Sequence, residues 1–212
     1  MDEERLVQAL AARVVQNLRQ EACLVPLGVS NRHLHLCRAD MDILFGAGSE
    51  LTYKKALGQP GQYAAEETVT LSGPKGQLTK VRVLGPLRAK TQIEISISDG
   101  YTLGVKPPVR DSGNLEHSIG LTISGPAGQV KKDYGAIAAL RHIHLDKQTA
   151  SLLQVQDNQL VDVEVGQERG ALLHQVLVRV SEQFIPEMHL DLDEANAMGV
   201  GNGDKAKILL PK

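Results

Sequence analysis

The chain has 212 residues and 42% hydrophobic content, enough to build one large core or two small ones. Its formal charge is -2 with a pI near 6.4, and it contains four Tyr, two Phe and no Trp, which excludes the bulk basic field and the stacking platforms of a nucleic-acid binder. No apolar run approaches the ~20 residues that cross a bilayer, and the N-terminus lacks a signal peptide's apolar centre. Two cysteines, Cys23 and Cys37, are too few for a disulfide framework, so the reading is an intracellular protein with reduced thiols and no membrane partner.

Residues 3 to 20 place Leu6, Val7, Leu10, Ala11, Val14, Val15 and Leu18 at the spacing of an amphipathic helix. Leu24 to Leu36 reads as a strand, followed by a short helix with Asp40 near its start and Gly46 at its end. Short β runs follow at Thr68 to Leu71, Leu78 to Leu84 and Gln92 to Ser98. The turn Gly73-Pro74-Lys75-Gly76 joins the first two, and Gly125-Pro126-Ala127-Gly128 joins a similar pair later. A second short helix is expected over Lys147 to Leu153, then a hairpin across Val161 to Val165 and Ala171 to Val180. This pattern predicts a mainly β fold of two small β-barrel domains, at 24–106 and 121–212, with strands open to exchange between barrels. Residues 107–120, with Pro107, Pro108, Gly113 and Gly120, form the expected linker or active-site loop, and residues 1–20 stand apart as an N-terminal helix.

Two stretches carry the chemistry. Arg32-His33-Leu34-His35-Leu36 and its near copy Arg141-His142-Ile143-His144-Leu145 hold four of the seven histidines. On an extended strand alternate side chains share a face, so each His-x-His pair offers two imidazoles to one metal ion and needs a further ligand from elsewhere. Glu94 through Val105 superposes without a gap on His189 through Val200, which makes Glu94 and His189 the matching third ligands. The chain reads as a diverged duplication with two candidate metal sites, His33/His35/Glu94 and His142/His144/His189, facing the junction of the two domains. Of the remaining candidates, Cys37 would share the histidine face if the strand continued, and Cys23 reads as a small buried hydrophobe. His117 falls in the 107–120 loop, His174 reads as structural, and Glu66 or Glu67 is a candidate carboxylate behind a ligating imidazole.

Several long motifs resemble those of the PduL-type phosphotransacylases (phosphate propanoyltransferases) of bacterial microcompartments. They are Gly28-Val29-Ser30-Asn31-Arg32-His33, Gln59 through Glu66, Leu84-Gly85-Pro86-Leu87-Arg88, Arg141-His142-Ile143-His144 and Met188-His189 through Asn196. The resemblance implies reversible conversion of a short-chain acyl-CoA, propanoyl or acetyl, and phosphate into acyl phosphate and CoA. It further implies a dinuclear zinc site with the ligands named above and a place in the microcompartment lumen in a pathway such as propanediol degradation. On the matching positions Arg88 binds phosphate, and Val29, Ser30, Asn31, Lys75, Arg82 and Asn196 contact CoA. Residues 1–20 become a candidate encapsulation peptide toward shell or core enzymes, and a homo-oligomer stays open. From the residues alone, Arg88 is a surface arginine beside a turn, and Lys75 and Arg82 are ordinary solvated charges. Two other readings share the ligand set: a dinuclear zinc thioester hydrolase, which uses water in place of phosphate, and a non-catalytic zinc-stabilised binding module.

Overall fold

The computed structural model describes residues 3–210. Helix α1 (Glu3–Ala22) precedes β1 (Leu24–Ser30), β2 (His33–His35) and α2 (Arg38–Phe45). Next come β3 (Tyr53–Ala56), the long hairpin β4 (Tyr63–Ser72) and β5 (Gln77–Gly85), then β6 (Gln92–Glu94), α3 (Ile97–Leu103) and β7 (Val109–Arg110). Three short strands follow: β8 (Thr122–Ser124), β9 (Gln129–Lys131) and β10 (Ala136–Ala139). The chain ends with β11 (His142–Leu145), α4 (Lys147–Leu153), the hairpin β12 (Leu160–Val165) and β13 (Ala171–Val180), β14 (Glu187–Asp191), α5 (Leu192–Met198) and β15 (Lys205–Leu209).

These elements form two compact units. Among the described residues, one comprises 3–28, 142–189 and 195–210, and the other comprises 29–141 and 190–194. The first unit holds a closed six-stranded barrel in the order β1-β14-β11-β13-β12-β15. In the second, eight strands run β7-β10-β6-β2-β5-β4-β8-β9, with β3 added on β4, and the sheet curls into a half-barrel. Its outer strands β7 and β9 have two and three residues, and such short edges offer little to a foreign strand. Residues 107–120 run inside this unit, where β7 pairs in parallel with β10.

Local signals account for where strands stop. The run from Gln92 is strand only to Glu94, in place of the longer strand expected to Ser98. Ser96 caps α3 by accepting from the Asp99 amide, while the Asp99 carboxylate accepts from the Ser96 amide. Asp191 and Glu194 exchange the same pair of bonds at the start of α5. Each cap lies just past a third candidate ligand, so the duplication extends to the device that ends the ligand-bearing strand.

Glycine turns lock the helices in place. Gly73 lies so close to the Leu103 carbonyl at the end of α3 that a Cβ would come within 2.3 Å of it, and Gly125 meets the Leu44 carbonyl at the end of α2 in the same way, at 2.4 Å. The core of the second unit is aliphatic, built on Leu34, Leu36, Met41, Leu44, Leu71, Val83, Ile93 and Ile123. Within that core's rim the buried Asp40 carboxylate accepts from Lys132 Nζ at 2.8 Å.

Burial works to raise the Asp40 pKa, but Lys132, Thr91 and Cys37 outweigh it and hold the carboxyl below its usual range. A depressed carboxylate stabilises the fold above its unfolded pKa near ~3.9, and that contribution is lost as pH falls through the lower folded value. Lys132→Ala is therefore expected to destabilise the protein by about 1–3 kcal/mol at pH 7, and the difference from wild type should shrink in acid. Urea unfolding at pH 7 and pH 3.5 measures both.

Candidate metal centre

The strand β2 pairs antiparallel with β6, which sets His33 opposite Glu94 and His35 opposite Gln92. Period-two alternation turns Leu34 into the core and both imidazoles to the other face. The donor atoms of His33, His35 and Glu94 come within 4.8 Å of one another. His33 Nδ1 lies 2.8 Å from the Asn31 carbonyl oxygen, which can only accept, so Nδ1 carries the proton. That leaves the Nε2 lone pair of His33, 3.4 Å from Glu94 Oε2, facing the cluster. His35 bonds the Leu84 carbonyl, and its buried Nδ1 has no hydrogen-bond partner among the described residues. The bond to Leu84 therefore uses Nε2, and Nδ1 is the free donor. Carbonyls behind each ring thus select the tautomer that a metal ion needs.

Glu94 is held from behind as well. Its Oε1 accepts from Gln92 Nε2 and, at 3.3 Å, from Ser112 Oγ, which in turn accepts from Arg88 Nη1 at 3.3 Å. The Gly113 amide donates to Gln92 Oε1 at 2.8 Å, so the 107–120 stretch is tied directly to this cluster. Burial would raise the Glu94 pKa, yet the neighbouring His33, His35 and Arg88, with the Gln92 hydrogen bond, prevail and lower it. Burial, then Arg88 and His33, push the His35 imidazole down to about 3. At neutral pH His35 is thus a neutral imidazole and Glu94 a carboxylate.

The second triad repeats this plan in the other unit. Pairing of β11 with β14 sets His142 opposite His189 and His144 opposite Glu187. The His142 and His189 rings stack at 5.0 Å, His144 lies 4.7 and 4.9 Å from them, and Phe184 stacks on His144 at 4.1 Å. Neither ring nitrogen of His144 has a hydrogen-bond partner among the described residues, and nor does His189 Nε2. Leaving buried polar atoms unmade typically costs about 1–3 kcal/mol each. Three such nitrogens among imidazoles fit a divalent cation, since neutral imidazole is a good zinc ligand. Burial, with His142, His189 and Arg179, pushes His144 down to about 2.

The arginine before each pair is also reused. Arg32 Nη2 meets Asp99 at 2.9 Å and Arg141 Nη1 meets Glu194 at 2.7 Å, each acid standing five residues after the third candidate ligand. Each arginine thereby ties its histidine strand to the helix that follows the third ligand.

The other sequence candidates distribute as follows. Arg88 is half-buried beside the first triad. Val29 and Ser30 end β1 and Asn31 supplies the carbonyl behind His33. Arg82 lies level with His33 on the neighbouring strand and donates through Nη1 to the Ala65 and Glu66 carbonyls. Lys75 is exposed in the β4–β5 turn, and Asn196 is exposed on α5. Cys37 is not on the histidine strand, which stops at His35; it is the N-cap residue of α2. His117 is exposed, and His174 pairs with Asp162 at 3.0 Å. Glu66 pairs with Lys54 and Glu67 accepts from the Thr52 amide, so neither supports a ligand; Gln92 and Ser112 do.

The sequence model of the phosphate propanoyltransferase family matches residues 26–201, which span both triads. The chain belongs to that family. Proteins named phosphate propanoyltransferase include one from Rhodopseudomonas palustris, 58% identical over 87% of this chain and 81% of its own length. Others come from Thermotoga maritima, at 51% identity over 92% and 93%, and Salmonella typhimurium, at 48% over 95% of both chains. The chain is thus an enzyme of the phosphotransacylase class.

The suppressed imidazole pKa values bear on stability. His35 and His144 stay neutral in the fold but take up protons below ~6.5 once unfolded, so the unfolded chain binds more protons between the folded and unfolded values. The metal-free protein should lose stability as pH falls from 7.5 to 5.5, seen as a lower urea midpoint. Replacing both histidines by Gln should flatten that slope; a midpoint equally pH-dependent in the variant would rule out these rings as its source.

Proposed function

We propose that the enzyme transfers a short acyl group, propanoyl or acetyl, reversibly between CoA and inorganic phosphate. Two zinc ions would serve it, one held by His33, His35 and Glu94 and the other by His142, His144 and His189. The observation that carries this reading is the pair of matched donor clusters with buried, unpartnered ring nitrogens in a chain of this family. Bound zinc would supply Lewis acidity toward an acyl oxygen and stabilise a thiolate, the two kinds of help a thioester needs to release CoA.

Arg88 is the residue we assign to phosphate. Its guanidinium stands beside the anionic first triad, oriented by Ser112, and a planar fork suits two oxygens of a phosphate. Val29, Ser30 and Asn31 would lie along the CoA arm, Arg82 and Lys75 would offer charge to its phosphates, and Asn196 would add a polar contact. Helix α1 would serve a separate role. Leu6, Val7, Leu10, Val14, Val15 and Leu18 are all exposed, and the helix is fixed near its end by Arg19 Nε donating to the Leu152 carbonyl. Such a face suits docking to the shell or core enzymes of a microcompartment, which would place the enzyme in its lumen.

Phosphate-dependent release of thiol from propanoyl-CoA, with acyl phosphate trapped as hydroxamate, tests the reaction. Activity should vanish on chelation and return with zinc, and alanine at His33 or His142 should abolish it; intact activity in either variant would sink the assignment. Thiol release without phosphate would mark a hydrolase. Arg88→Ala should lower kcat/KM by about 10²–10³-fold, with Arg88→Lys recovering little. Deleting residues 1–20 should leave turnover in solution unchanged while abolishing co-purification with microcompartments from cells.

A further inference from the structure

We propose that Glu187 is a positioning residue of the second metal centre, supplying the carboxylate that its three imidazoles lack. This rests on the metal reading above.

Four observations converge on Glu187. It lies two residues before His189 on β14, so both side chains share the face turned toward His142 and His144. Its Oε2 is 3.0 Å from His189 Nε2, yet that nitrogen makes no hydrogen bond, so the oxygen stands beside the ring's N–H axis and not on it. Glu187 lies outside the set of donors that mutually approach within 4.8 Å, which makes it a flanking carboxylate and not a fourth member of the triad.

The duplication points the same way. The shift that carries Glu94 onto His189 carries Gln92 onto Glu187, and Gln92 is the residue that contacts the third ligand of the first triad. One half therefore reads Gln92–Glu94 and the other Glu187–His189, so the carboxylate and the neutral group have exchanged places. Each centre then has a single carboxylate, and a divalent cation at either would meet the same formal charge.

The backbone makes room for it. A Cβ at Gly28 would come within 3.0 Å of Glu187 Oε1 and 3.4 Å of His189 Cε1. Glycine on β1 thus gives the carboxylate and the ring the space they occupy. Only 15% of the Glu187 side chain is exposed.

The test uses the full chain and metal alone. Glu187→Gln is the gentle substitution, since Gln is what the other half carries at the matching place. In competition with a chromophoric chelator, the variant should keep one zinc at wild-type affinity and bind the second about 10–100-fold more weakly. In the cobalt-loaded protein the visible band of the second ion should shift, and Glu187→Asp should restore part of the affinity. Both ions bound as in wild type, with an unchanged cobalt spectrum, would overturn the proposal. A wild-type chain that binds fewer than two ions would instead overturn the metal reading beneath it.

Discussion

Burying imidazoles with their lone pairs turned toward one another is unfavourable unless a cation sits among them, and two such clusters dictate much of this fold. Each needs strand geometry, because only a two-residue period sets both rings of a His-x-His on one face while the intervening Leu34 or Ile143 enters the core. Each also needs an antiparallel neighbour in one register, since a slip by one residue would turn Glu94 or His189 to the opposite face. The core and the site thus impose the same register. A protein that satisfied one and not the other would expose leucines or bury charges.

What holds the donors is mostly backbone. Carbonyls of Asn31 and Leu84 fix the two tautomers at the first triad, and neither requires a particular side chain to do so. Side-chain support is concentrated on the carboxylate, through Gln92, Ser112 and the 107–120 stretch. The division follows from charge. A neutral imidazole needs only one acceptor behind it, whereas a buried carboxylate has several lone pairs to satisfy.

Much of this could be read from the sequence, for a physical reason. The His-x-His pairs, the hairpins, α1, α2 and α4 are local features, and period two or 3.6 within a short window announces them. The matching of Glu94 to His189 came from internal repetition, which substitutes for an alignment. Non-local pairing was not legible. Closure of one sheet into a six-stranded barrel while the other stays a nine-stranded half-barrel depends on which distant strands meet, and residues 3–28 join 142–189 in a unit that no composition shift announces. Gln92, Ser112 and Glu187 were missed because an amide, a hydroxyl or a carboxylate near a ligand has no distinctive spacing. The helix from Ile97 was missed because a capping box competes with, and here defeats, the β propensity of Ile95 and Ile97.

Duplication explains why the two triads are alike in frame and differ in their third member, Glu94 in one and His189 in the other. The arginine–acid ties and the capping boxes serve folding and are retained in both halves. The third ligand is free of that constraint, since either a carboxylate or an imidazole can reach inward from the same strand position. Glu94 stands near Arg88 in one half, and the Ser112 hydroxyl bridges the two. Two copies of one frame can therefore carry a carboxylate at this position in one and an imidazole in the other, with no change to the scaffold that positions them.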